Sequence, residues 1–214
     1  MTERVQIEWA AGEAVSAIIY RVVTPMLVLA HGAGTNQDHP LITTLAQRLA
    51  DEGLGVATFN YPYTEAGRRA PDRAPKLLAC HRAVAAAMRE RSPGGIVLGG
   101  RSMGGRMSTM LAAEGEETLG VVCLAYPLHP SGRPERLRIE HLPAIPVPML
   151  FFQGSRDALS RSDLFDLHIR SLPTATVVDM DGADHSFRGT GWSPERVGDL
   201  VTSEYARWLA GLRP

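Results

Sequence analysis

A serine hydroxyl becomes a nucleophile at neutral pH only when a base can take its proton and an acid can hold that base in place. Three residues of this sequence have the types and the order for that work: Ser102, then Asp157, then His185. Ser102 is the centre of Gly100-Arg101-Ser102-Met103-Gly104, a G-x-S-x-G arrangement that stands a serine on a sharp strand-to-helix turn with its hydroxyl clear of the sheet edge. The glycines suit such a turn because β-carbons have no room where strand and helix converge. Composition alone produces the pattern by chance in roughly one chain in fifteen of this length, so its weight comes from its flanks. Ile96-Val97-Leu98 before it reads as a buried strand, and Met103 to Ala113 after it as a helix. The competing reading is a glycine-rich turn whose serine merely caps the helix.

The acid and the base must arrive on the same edge as the serine. Asp157 follows the apolar run Met149-Leu150-Phe151-Phe152, in Gln153-Gly154-Ser155-Arg156-Asp157. His185 follows Thr176-Val177-Val178, in a loop that runs from Asp181 to Phe187. Among the other acids, Asp163 and Asp166 fall in the next helix, Asp179 belongs to the last strand, and Asp181 and Asp184 suit the shaping of a turn. No aspartate lies between Tyr126 and Gln153, which leaves only Glu135 and Glu140 as alternatives after the preceding strand. Of the remaining histidines, His81 and His168 fall in helices, where a structural role is expected, and His31 opens a glycine turn that it is expected to fix by hydrogen bonding. The oxyanion formed on attack needs two preorganised donors. The backbone N–H of Met103, next to the serine, is one, and that of Ala33 in His31-Gly32-Ala33-Gly34 is the other, with Gly34 as the neighbour that could substitute.

The elements that must position these groups alternate along the chain. Val5 to Ala10 and Ala14 to Val23 read as an antiparallel opening pair, followed by buried strands at 26–30, 56–60, 96–98, 121–125, 149–152 and 176–178. Helical spacing predicts helices over 41–49, 77–89, 103–113, 164–172 and 197–212, and a polar, Arg- and Pro-rich loop runs to Pro75. This is the pattern of an α/β fold, a mostly parallel sheet of about eight strands with helices on both faces, in one domain spanning 1–214. Reactive groups in such a sheet belong on loops at the carboxyl ends of the strands.

The chain's 214 residues are 44% hydrophobic and 21% charged, with a formal net charge of −1, so no electrostatic case arises for a nucleic acid or a membrane surface as partner. Cys80 and Cys123 sit in apolar surroundings and form no CxxC or Cys/His cluster, which argues against a zinc site and for a reducing compartment. No stretch has the form of a signal peptide or approaches the ~20 apolar residues of a membrane span, and a cytoplasmic location is expected.

Taken together, the chain resembles the α/β-hydrolase superfamily over essentially its full length, and more narrowly its small branch of testis-expressed protein 30 and KAT8 regulatory complex subunit 3 type. The carriers are Leu29-Ala30-His31-Gly32-Ala33-Gly34, Phe59-Asn60-Tyr61-Pro62, Gly99 to Arg106, Gln153 to Asp157 and Asp184-His185-Ser186-Phe187. Dienelactone hydrolases are similar in outline but place cysteine at the elbow. The resemblance implies a serine hydrolase in which Ser102 is nucleophile, His185 general base and Asp157 its orienting acid. The resemblance does not imply a substrate; the expected reaction is hydrolysis of small esters or thioesters through an acyl-enzyme, with no metal or organic cofactor. Only about twenty residues separate Tyr126 from Pro148, too few for a helical cap domain. Substrate-lining candidates on the edge are His31, Tyr61, Arg101 and Leu128, with Tyr63 beside them. Arg101, Arg106, Arg133, Arg156 and Arg161 would favour anionic acyl groups unless solvated or paired. The alternative is a binding or scaffold protein that keeps the fold without turnover, as in some members of that branch. Acyl transfer, peptide cleavage and carbon–carbon hydrolysis use the same three groups, and the oligomeric state is left open.

Overall fold

Short runs without a polar interruption can form strands covered on both faces, and the computed structural model, which describes residues 2–212, places them at the centre of one sheet. The strands are β1 (Glu3–Ala10), β2 (Glu13–Arg21), β3 (Met26–Ala30), β4 (Gly55–Phe59), β5 (Ile96–Arg101), β6 (Val121–Leu124), β7 (Met149–Gly154) and β8 (Ala175–Met180). Their spatial order is β1-β2-β4-β3-β5-β6-β7-β8. The β1–β2 hairpin and the β2–β4 pair are antiparallel, and all later pairs are parallel. The sheet is the eight-stranded, mostly parallel α/β arrangement expected from the sequence.

Side chains alternate between the two faces. Along β3, Leu27 and Leu29 join a core under α1 (Pro40–Asp51) and the last helix, whereas Met26, Val28 and Ala30 pack on the opposite face. That opposite face is covered by α3 (Ala74–Arg91) and α4 (Met103–Ala113), with the single turn α2 (Pro62–Glu65) ahead of them. After β7 come α5 (Ser162–Phe165) and, after β8, α6 (Pro194–Gly211), which lies beside α1.

Two local expectations need revision. The segment 164–172 is not one α-helix: α5 closes after one turn and Asp166–Arg170 continues as a π turn, with Phe165 and Ile169 buried and Leu167 64% exposed. The polar loop before α3 ends at Arg73, because Ala74 and Pro75 open the first helical turn, where the proline's missing N–H has no intrahelical partner to lose. Between β6 and β7 the chain holds only a 3-10 turn at Leu142–Ala144, and Leu128, Leu142 and Ile145 pack down onto Tyr126 and Phe151. No helical cap covers the carboxyl edge of the sheet there.

Candidate active site

The elbow depends on close backbone approach. A β-carbon on Gly100 would lie 2.5 Å from the carbonyl carbon of Gly104, and one on Gly104 would lie 2.5 Å from the Ala30 oxygen. Ser102 between them has φ 50° and ψ −113°, a conformation that costs a serine on the order of 1–3 kcal/mol. Strand β6 and the first turn of α4 hold it there: its N–H donates to Leu124 O at 2.8 Å, and its own carbonyl accepts from Arg106 N at 3.0 Å. Although Ser102 precedes the first residue of α4, its side chain makes no capping hydrogen bond. Its Oγ lies instead 2.9 Å from His185 Nε2. The hydroxyl is therefore not spent on the helix, which decides against the capping reading of the motif.

His185 is oriented from its other side. Its Nδ1 lies 2.8 Å from Asp157 Oδ2, and the Asp157 side chain is 0% exposed. A carboxylate oxygen there places the ring proton on Nδ1 and turns the Nε2 lone pair to Ser102. Asp157 is itself held, since Oδ1 accepts the Leu159 N–H at 2.8 Å and Gln153 Nε2 lies 3.5 Å from Oδ2. His129, in the loop after β6, braces this acid loop: its N–H donates to Leu159 O at 3.0 Å and its Nε2 accepts the Arg161 N–H at 3.2 Å.

The His185 loop is tied down in turn. Asp184 accepts from Ser186 N at 2.7 Å and Arg188 N at 2.9 Å, and Phe187, at φ 57°, is buried under α6. Arg101 Nη2 reaches across to donate to His185 O at 3.2 Å and Ser186 Oγ at 3.3 Å. Burial lowers the Arg101 guanidinium pKa, and the charges of Asp157 and Asp184 oppose that shift.

The N–H groups of Ala33, on the loop after β3, and of Met103, at the start of α4, have no hydrogen-bond acceptor among the described residues. The Tyr63 hydroxyl donates to Gly32 O of the same loop at 3.4 Å. His31 is 0% exposed, with Nδ1 donating to Gly32 O at 2.8 Å and Nε2 accepting the Tyr61 N–H at 3.2 Å. It fixes the loop and cannot line a substrate cleft. Tyr61 and Leu128, both 0% exposed, are corrected in the same way: each turns inward from its strand end, Tyr61 against His31 and His81 and Leu128 into the cluster around Phe151. Tyr63 is buried with them. Of the four lining candidates only Arg101 borders open space.

Burial pushes His31 down to about 4 and His81 to about 3. Both values lie below the unfolded value of 6.5, so the unfolded chain takes up protons that the native chain refuses as pH falls. Stability from this source is full above about pH 6.5 and then falls by about 1.4 kcal/mol per pH unit for each histidine, His31 ceasing to add to the slope below about pH 4. Urea unfolding followed by tryptophan fluorescence should show the chain about 3–4 kcal/mol less stable at pH 5 than at pH 7 from these two groups, and His81→Phe should roughly halve that difference. An unchanged pH dependence in that variant would contradict the assignment.

A cavity of about 250 Å³ opens between the start of α1 and the start of α6, and none of Ser102, Asp157 and His185 lines it. Arg101 and Ser186, the sequence neighbours of Ser102 and His185, line it together with His39, Phe187, Arg188 and Trp192. His39, Arg188 and Trp192 escape the sequence reading, because the first belongs to a helix entry and the last two lie just beyond the loop that carries His185. The signal available was the charge of Arg188, three residues past the candidate base. Among the described residues no group of three or more His, Cys, Asp or Glu is placed to hold a metal ion, and no helix is long and apolar enough to cross a membrane.

Comparison with known proteins bears on the same region. A family model described as an alpha/beta hydrolase domain matches residues 23–209. An alpha-beta serine hydrolase homologue from Coxiella burnetii superposes with a TM-score of 0.74 at 18% identity, over 94% of this chain and 96% of that one. A lidless a/b serine hydrolase from Xanthomonas campestris gives 0.73 at 18% identity, over 97% and 94%. Est1E from Butyrivibrio proteoclasticus gives 0.76 at 15% identity, over 97% and 99%.

Proposed function

The chain belongs to the alpha/beta hydrolase domain family, and from that premise we propose that it is a serine hydrolase cleaving small esters or thioesters through an acyl-enzyme. The observation that carries this reading is the continuous hydrogen-bonded line Asp157 Oδ2, His185 Nδ1, His185 Nε2, Ser102 Oγ, with spacings of 2.8 and 2.9 Å. Those are the distances at which a base can take a hydroxyl proton.

In this reading His185 Nε2 removes the Ser102 proton as Oγ bonds to the acyl carbon, and the carbonyl π electrons move onto oxygen. The N–H groups of Ala33 and Met103 receive that oxyanion, and each donor of this kind contributes about 10²–10³ in rate. Collapse re-forms the carbonyl and breaks the bond to the alcohol or thiol, which leaves with the proton from His185. Water, deprotonated by the same nitrogen, then attacks the acyl-enzyme and releases the acid. Asp157 keeps the ring in its working tautomer throughout and stabilises the imidazolium.

Exposure to a fluorophosphonate probe, followed by peptide mass spectrometry, tests the assembly without knowledge of the substrate. The expected result is one adduct on Ser102 that is lost in both Ser102→Ala and His185→Ala. Labelling of folded protein elsewhere, or at Ser102 without need of His185, would overturn the reading.

A further inference from the structure

His185 must stay over Ser102 through a cycle in which the bond between them is lost and made again. Most of what fastens its loop lies on the side of the acid. The Arg156 N–H donates to Ala183 O at 2.9 Å, the Gly182 N–H donates to Ser155 Oγ at 2.8 Å, and Asp184 accepts the N–H groups of Ser186 and Arg188. These bonds join the loop to the segment after β7 or to itself, and none reaches the nucleophile. Across to the elbow, the hydrogen bonds among the described residues are the one between His185 Nε2 and Ser102 Oγ and a pair from Arg101 Nη2, to His185 O at 3.2 Å and Ser186 Oγ at 3.3 Å.

Arg101 is set up as a fixed tie. It ends β5 directly before the nucleophile, and alternation along the strand turns its side chain away from α4, toward the face on which α1 and α6 begin. It is only 8% exposed, and a β-carbon on Gly32 would lie 3.0 Å from its Nη1, so the guanidinium is also lodged against the loop that carries Ala33. Its Nε is buried without a partner. A guanidinium gives up hydration in such a place, and the charges of Asp157, then Asp184, act to keep it a cation. Both of its donated bonds go to the loop of the base.

The chemistry decides when that tie matters. In the free chain the Ser102 hydroxyl donates to Nε2 and helps to hold the ring. Once Oγ carries the acyl group it has no proton to donate, and that bond is gone. The same Nε2 must then deprotonate water at the acyl carbon, so something other than Ser102 has to keep the base loop at its distance from the elbow. We propose that Arg101 is a positioning residue for the second half of the reaction: it holds the His185 loop at the elbow while Ser102 is acylated, so that deacylation depends on it more than acylation does. The proposal rests on the hydrolase reading above.

Rapid mixing with 4-nitrophenyl butyrate separates the two halves, the burst reading acylation and the linear phase deacylation, in the native chain, Arg101→Met and Arg101→Lys. The expected result for Arg101→Met is deacylation slowed by about 10²-fold, the cost of a misplacement of about 1 Å, with acylation slowed by less than about tenfold. KM should fall with kcat, and the burst should approach one product per chain. Arg101→Lys should recover part of the loss, since its ammonium can donate to both oxygens but sits on a shorter stem. Equal slowing of both halves, or no slowing of deacylation, overturns the proposal. If Arg101→Met does not fold, Arg101→Gln, whose shorter amide falls away from both oxygens, takes its place. If the native chain forms no acyl-enzyme on Ser102, the hydrolase reading fails, and crystal structures decide the tie alone. In Ser102→Ala, which also lacks the bond to Nε2, the His185 loop should stay in place, and in Ser102→Ala combined with Arg101→Met it should move off the elbow by about 1 Å or more. A loop unmoved in both overturns the tie.

Discussion

Ser102→Ala should lower kcat for 4-nitrophenyl butyrate by at least about 10⁴-fold, because it removes the only atom that can form the acyl-enzyme, while the donors at Ala33 and Met103 and the binding surface remain. The same assignment fixes a relation between variants. If Ser102 and His185 act as one unit, then His185→Ala costs about as much as Ser102→Ala, and the double variant costs no more than either. Folding should be little affected. Alanine is as strained as serine at φ 50°, and the loss is one part-buried hydrogen bond, worth about 1 kcal/mol. Steady-state rates beside urea unfolding curves check both halves. A variant that keeps more than about 1% of the native rate after removal of contaminating esterase would sink the nucleophile assignment.

What could be read from the sequence divides along a physical line. The elbow was legible because its requirement is local: Gly100 and Gly104 are needed wherever a strand and a helix cross within a van der Waals radius of each other, and the pattern states this without the rest of the fold. The places of Asp157 and His185 were legible through topology, since parallel strands β5, β7 and β8 deliver the residues that follow them to one edge. Position at an edge does not give direction, however. Tyr61 and Leu128 follow strands as Asp157 does, but their side chains turn into the core, where burying an aromatic or a leucine is worth about 1.5–3 kcal/mol.

The cavity was illegible for a different reason. Leu41 and Val197 meet only because α1 and α6 share one face of the sheet, and nothing in either helix sequence announces a partner that far along the chain. The π turn at Asp166–Arg170 shows the same limit at short range. Its apolar spacing is helical, yet Arg170 bonds both Asp166 in its own turn, at 2.9 Å, and Asp179 on β8, at 2.7 Å.

Asp157→Asn should lower kcat by about 10⁴-fold with little change in KM or in stability, and the reason is the direction in which the new amide must lie. The Leu159 N–H, at 2.8 Å, faces Oδ1 and demands an acceptor there. Gln153 Nε2 lies on the Oδ2 side at 3.5 Å and is too weak a claim to reverse the choice, so the asparagine oxygen takes the Oδ1 place and its NH₂ faces His185. An NH₂ donates, so His185 Nδ1 must accept, and the ring proton moves to Nε2. That nitrogen then donates to Ser102 Oγ instead of receiving its proton, and the nucleophile is held in perfect position with no base. The expected signature is therefore specific: fluorophosphonate labelling slowed in step with kcat, an unfolding midpoint close to native, and a partial return of rate at high pH, where hydroxide can remove the serine proton directly. Asp157→Ala removes the tautomer's anchor without imposing the wrong one and should be less damaging than Asn. The reverse order, Ala worse than Asn, would mean that Asp157 acts by packing and hydrogen bonding within its loop and not through the ring of His185.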